Sequence, residues 1–155
     1  MLKITMTAIA LGVLLLLSTV AYAQPCTDPS SIISVSNTSA GSFEYVTFRL
    51  QKPLNAGYGY SVATVHGPFA EEPSDNPVTI VGPRYKRIRF KGITWMCTIA
   101  ENFSLPKTAI KAIKGLEQHE GIVVYVVGYR SASTYVSTST VNAGSIRKVI
   151  MKFKK

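Results

Sequence analysis

The chain has 155 residues, with 17 Lys and Arg against 8 Asp and Glu, for a formal net charge of +9. That length suits one domain with its own core. With two His and two Cys and no Cys-x-x-Cys, neither thiol redox catalysis nor structural zinc has its usual spacing.

Taken in chain order, the first element is a leader. Lys3 supplies a positive start, Ala8 to Leu17 form an apolar stretch, and Ala21-Tyr22-Ala23 offers the small-x-small pattern of a signal peptidase site. Residues 1–23 are therefore expected to be a signal peptide, cut before Gln24. The apolar core is short for an uncleaved anchor, which needs roughly 20 residues. Pro25, directly before Cys26, does not fit a lipoprotein site. Cleavage leaves 132 residues and lowers the basic count from 17 to 16 against eight acids, a net charge of +8. Export removes most cytosolic enzyme classes. The basic balance favours an anionic partner in the cell envelope, in a periplasm or outside the cell; solubility alone accounts for the same charge. Nucleic acid is not expected, because the chain is exported and carries no recognition motif. No integral membrane span is expected after cleavage.

A segment at 24–30 leads into a domain at 31–155. Cys26 and Cys97 survive cleavage, and an oxidising compartment predicts a disulfide between them. Ser31 to Ser36 is a first short strand. Phe43 to Leu50 alternates, with Val46, Phe48 and Leu50 on one face and Tyr45, Thr47 and Arg49 on the other, as a half-buried strand should. Gly57 to Val65 is the next strand. Gly67 to Pro77 reads as a loop on its Gly-Pro, Glu-Pro and Asn-Pro steps, and Val78 to Val81 as a brief strand. In Arg84 to Lys91, Ile88 and Phe90 point one way and Arg87, Arg89 and Lys91 the other. Ile93 to Ile99 is a further strand candidate. Ile110, Ile113 and Leu116 recur every three residues, so a short helix near 106–116 and an irregular strand both remain open. Ile122 to Val127 is apolar on both faces, which predicts a central strand covered twice. Ala132 to Val141 suits a strand with one wet face, and Asn142-Ala143-Gly144 a turn. Ser145 to Lys154 closes the domain, with Val149, Met151 and Phe153 inward. The fold class expected is all-β, a single antiparallel β-sandwich or partly closed barrel.

Phe43-Glu44-Tyr45-Val46-Thr47-Phe48, Gly57-Tyr58, Gly67-Pro68-Phe69, Pro73-Ser74 and Asn76-Pro77, in that order, are similar to the opening half of the AMIN-like domains of exported bacterial proteins. Leu116 to Tyr125 and Ser145 to Ile150 resemble their second half. The resemblance covers residues 31–154. It implies a β-sandwich-like domain generally without an assigned activity, and, by analogy with AMIN domains, a targeting or peptidoglycan-binding role. Lys152 stands where the family often has an acid, and Ser145 where it has a proline.

Two basic rows are candidates for binding: Arg87, Arg89 and Lys91, about 7 Å apart along one strand face, and Lys148, Lys152 and Lys154. If their strands share a sheet face, the rows make one patch suited to an anionic polymer or glycan. Basic rows also arise as solvated faces or as protection of a sheet edge. Tyr58, Tyr60, Tyr85 and Trp95 are candidate aromatics for stacking on sugars, against ordinary burial. Catalytic signals are sparse. Glu117, His119 and Glu120 read as a solvated hairpin tip rather than a metal site, and no Gly-x-Ser-x-Gly elbow is present. No cofactor is called for. The leading expectation is a non-catalytic envelope module that binds an anionic polymer or glycan. The second is a protein-interaction domain using a charged face or an open sheet edge. The last is a hydrolase resting on a carboxylate such as Glu101 or Glu117.

Overall fold

The computed structural model describes residues 28–96 and 108–155. The leader at 1–23, the start of the 24–30 segment, and the Cys26–Cys97 pair lie outside the described residues. Among the described residues eleven strands follow one another: β1 (Ser31–Ala40), β2 (Phe43–Gln51), β3 (Gly59–Val65), β4 (Phe69–Glu71), β5 (Asn76–Val78), β6 (Arg84–Lys91), β7 (Trp95–Met96), β8 (Ile110–His119), β9 (Ile122–Tyr129), β10 (Thr134–Ala143) and β11 (Ile146–Lys154). They form a five-stranded sheet, β10-β11-β2-β1-β7, a four-stranded sheet, β3-β6-β9-β8, and a small β4–β5 hairpin. The result is an all-β sandwich whose sheets stay separate and do not close into a barrel.

Alternation along the strands builds the core. Val46, Phe48 and Leu50 of β2, and Val149, Met151 and Phe153 of β11, turn inward and are fully buried. Ile88 and Phe90 of β6, and Val123, Tyr125 and Val127 of β9, meet them from the other sheet. Phe48 sits at the centre, its ring 5.2 Å from Phe90 and 5.1 Å from Tyr125, both inclined, an arrangement aromatic pairs prefer.

The segment left open between helix and strand is strand β8, and no helix forms near 106–116 among the described residues. Two bulges explain the misleading spacing. The register slips between Ile110 and Ala112 and again between Gly115 and Glu117. With Lys111 as the extra residue, Ile110 and Ile113 both face the core. A bulge of this kind turns a period of two into an apparent period of three. The β8–β9 connection is a two-residue turn in which Glu120 and Gly121 both have positive φ, 47° and 76°, as a type I′ hairpin requires.

The double covering expected for β9 is present. Its inward residues join the main core, while Val126 packs outward with Ile80 and Ala112 in a second apolar cluster. Phe69 and Val78 of the β4–β5 hairpin lie against that cluster. The 67–77 segment, expected as a loop, therefore carries a short hairpin that covers the outer face of the four-stranded sheet. Of the strand expected at 78–81, only Val78 is in β5. Phe69 meets Tyr85 edge-on at 4.9 Å, and the Glu72 N–H donates to the Leu116 carbonyl at 2.8 Å. Gly128 allows the close approach behind this cover, since a Cβ there would collide with the Val81 carbonyl.

One buried acid crosses the sandwich. Glu44 is 1% exposed and lies on the inward face of β2. Its carboxylate accepts from the Ala109 N–H at 3.0 Å and the Ile110 N–H at 2.9 Å. A strand of the five-stranded sheet thereby holds the start of β8 in the other sheet.

Candidate functional site

The two basic rows do not share a sheet. Strand β6 lies in the four-stranded sheet and β11 in the five-stranded one. In both strands the alternate residues form the core, so each row projects from the outward face of its own sheet. The single patch considered from sequence is therefore two surfaces, one on each side of the sandwich.

On the five-stranded side, Lys148, Lys152 and Lys154 stand on β11. Lys148 pairs in register with Arg49 of β2 on one side and Val141 of β10 on the other. Lys152 is opposite Tyr45 and Ser137. The outward positions of β1, β2 and β10 supply hydroxyls between the cations: Ser34, Ser36 and Thr38 on β1, Thr47 on β2, and Ser139 on β10. The Lys152 ammonium lies 3.8 Å from the centre of the Phe43 ring. No acid faces outward from any of these five strands, because Glu44, the one acid in them, is turned into the core. Arg49 directly opposite Lys148 is a like-charge pair, an arrangement that costs stability in a sheet and that a bound anion relieves. Sequence reasoning did not single out Arg49 as a binding residue; its place beside Lys148 depends on strand pairing, which one strand's sequence does not reveal.

On the four-stranded side the surroundings are mixed. Arg87 and Arg89 border a cleft of about 280 Å³ between the sheet and the β4–β5 hairpin, which Glu72 and Glu117 also line. Lys91 lies at the end of the row, its aliphatic stem over Gly59. The hairpin supplies further acids, Glu71 and Asp75. Glu117, His119 and Glu120 run into the β8–β9 turn, where His119 and Glu120 are exposed.

The candidate aromatics are mostly drawn into packing. Tyr58 and Tyr60 lie against the main core, and the Tyr60 hydroxyl is 3.1 Å from the Thr140 hydroxyl across the sandwich. Burial pushes the Tyr58 phenol above its ordinary value, and the Arg147 guanidinium, 5.4 Å from the ring centre, opposes that shift. Tyr85 packs on the second apolar cluster and donates to the Ile80 and Gly82 carbonyls. Trp95 lies in β7, and its ring is outside the described side chains. Tyr58 meets Arg147 of β11, but Tyr58, Tyr60 and Tyr85 do not join the outward row of Lys148, Lys152 and Lys154.

In comparison with known proteins, the chain matches no family model, and a search of curated proteins finds no relative.

Proposed function

We propose that the protein is an exported, non-catalytic envelope module that binds an anionic polymer or glycan, with peptidoglycan as the first candidate, through the outward face of the five-stranded sheet. The observation that carries this reading is the row of Arg49, Lys148, Lys152 and Lys154 on a face that presents no acid. Along β11, Lys152 and Lys154 are about 7 Å apart, so an extended chain with repeated negative groups meets several cations at once. The hydroxyls between them accept and donate hydrogen bonds to a hydrated polymer. The leader pattern at 1–23 and the AMIN-like motifs support the same compartment and ligand class.

The test is co-sedimentation with insoluble peptidoglycan across a salt series, using the triple change Lys148→Glu, Lys152→Glu and Lys154→Glu. Binding should weaken steeply with ionic strength, since exposed charges are screened beyond a Debye length of about 8 Å at physiological salt. The triple variant should lose about tenfold or more in affinity. Equal binding by the variant and the parent at low salt removes this face from the reading.

One observation favours a second reading, protein interaction by strand addition. Strand β10 is a free edge of the five-stranded sheet, ten residues long without a charged residue, and exposes Val136 and Val141. Sheet edges are usually blunted by charge or proline. Val136→Lys, on the exposed edge, should abolish capture of an extended peptide without weakening polymer binding; capture that persists rejects the edge.

A further inference from the structure

We propose that the cleft beneath the β4–β5 hairpin is a second, separate binding site, for a short peptide with both termini free. It lies on the opposite side of the sandwich from the face discussed above and does not depend on that reading. Four charged side chains line it, Arg87, Arg89, Glu72 and Glu117. Register sorts them by sign. Arg87 and Arg89 are on β6, opposite Val126 and Val124 of β9. Glu117 is on β8, opposite the same Val124, and Glu72 bridges to Glu117 from the hairpin. Arg87 and Arg89 thus stand along one wall and Glu72 and Glu117 along the other, where Lys114 of β8 is the residue opposite Val126. One strand separates them, which sets Arg89 and Glu117 about 10 Å apart between backbones. Among the described residues no ion pair joins these arginines to these glutamates.

The floor between the walls is apolar. Val124 is 5% exposed and Val126 fully buried, and Phe69 of the hairpin closes over them. A ligand that fits carries a negative group at one end, a positive group at the other and an apolar middle. The guanidinium fork is suited to a carboxylate, which it holds with two parallel hydrogen bonds. Paired carboxylates are suited to an ammonium. A dipeptide offers both termini and one side chain for the valine floor. A purely anionic polymer does not fit, because Glu72 and Glu117 repel it. Convergent polar groups around a small cleft are a common feature of ligand pockets, and here Arg87, Arg89, Glu72, Glu117 and His66 supply them.

Titration calorimetry of the purified protein at low ionic strength, with L-alanyl-L-leucine as probe, tests the proposal. The free dipeptide should bind. N-acetylation of its amine and amidation of its carboxylate should each weaken binding about tenfold or more, the loss expected for one charge-assisted hydrogen-bonded end. The paired change Arg87→Gln and Arg89→Gln should impose the same loss and make binding indifferent to amidation. The paired change Glu72→Gln and Glu117→Gln should make it indifferent to acetylation. The Lys148, Lys152 and Lys154 reversals should leave dipeptide binding unchanged. Failure of the free dipeptide to bind at millimolar concentration overturns the proposal. Equal affinity for the free and blocked forms does so too, and needs no variant to fold.

Discussion

The two outward faces of this sandwich are built from the same kind of strand and end up chemically opposite. On the five-stranded side, the outward charges of the described strands are all basic, and nothing covers the sheet among the described residues. On the four-stranded side, a hairpin bearing Glu71, Glu72 and Asp75 lies over the strands, and arginines face glutamates across a cleft. The difference begins with what each sheet leaves uncovered. Strand β9 is apolar on both faces, so its outer face demands a cover; the β4–β5 hairpin supplies one and brings acids with it. Strands β2 and β11 turn one face into the core and place Arg49, Thr47, Lys148, Lys152 and Lys154 on the other, with Ile150 as the outward aliphatic residue of β11, so their outer faces need no such cover.

The contrast depends first on Glu44, the one acid of the five-stranded sheet, being spent inside. Replacing Glu44 by Ala orphans two buried N–H groups and should cost about 3 kcal/mol, with Glu44→Gln losing roughly half as much. Chemical denaturation measures both, and a loss below about 1 kcal/mol for the alanine variant would show that the carboxylate does not hold β8. Removing the cover comes next. Phe69→Ala should cost about 2 kcal/mol, less than a fully buried Phe because this ring is only partly enclosed. It should also raise hydrogen exchange at Val124 and Val126 without changing polymer binding. Unaltered exchange there would mean that the hairpin does not shield the outer face of β9.

Smaller effects sharpen the charge argument. Arg49→Ala removes the like-charge neighbour of Lys148 and should raise stability by about 0.5 kcal/mol at low salt, the gain fading as salt rises. A thermal shift of the opposite sign would show that the pair is not repulsive. At alkaline pH the Tyr58 phenol, raised by burial, ionises in the unfolded chain before it does in the folded one. The unfolded state then binds fewer protons, so stability should fall as pH climbs above about 10. Tyr58→Phe should flatten that decline, seen as a weaker pH dependence of the melting temperature.

The strands that do one thing per face were legible in the sequence. The alternation of Phe43 to Leu50, of Arg84 to Lys91 and of Ser145 to Lys154 places their inward residues correctly, because period two is a local property. The helix-like spacing of Ile110, Ile113 and Leu116 misled because two bulges reset the alternation, and a bulge is fixed by pairing with β9 rather than by β8 alone. The hairpin at 67–78 was hidden by its prolines and acids, although Phe69 and Val78 are apolar residues amid turn signals. For the candidate site, the basic residues were visible one strand at a time. Their separation onto two sides, the place of Arg49 beside Lys148, and the meeting of Glu72 and Glu117 with Arg87 and Arg89 follow from strand order, which is decided by contacts distant in sequence.

The acid-free face has a kinetic consequence. The outward cations of β2 and β11 have no acid beside them, whereas Arg87 and Arg89 on the far side stand among Glu72 and Glu117, so the uncompensated positive charge of these strands lies on one side of the sandwich. In the field of an extended anionic surface such a body experiences a torque before it makes any contact. It arrives with β11 and β2 leading and the cleft pointing away, still open to a small ligand from solution.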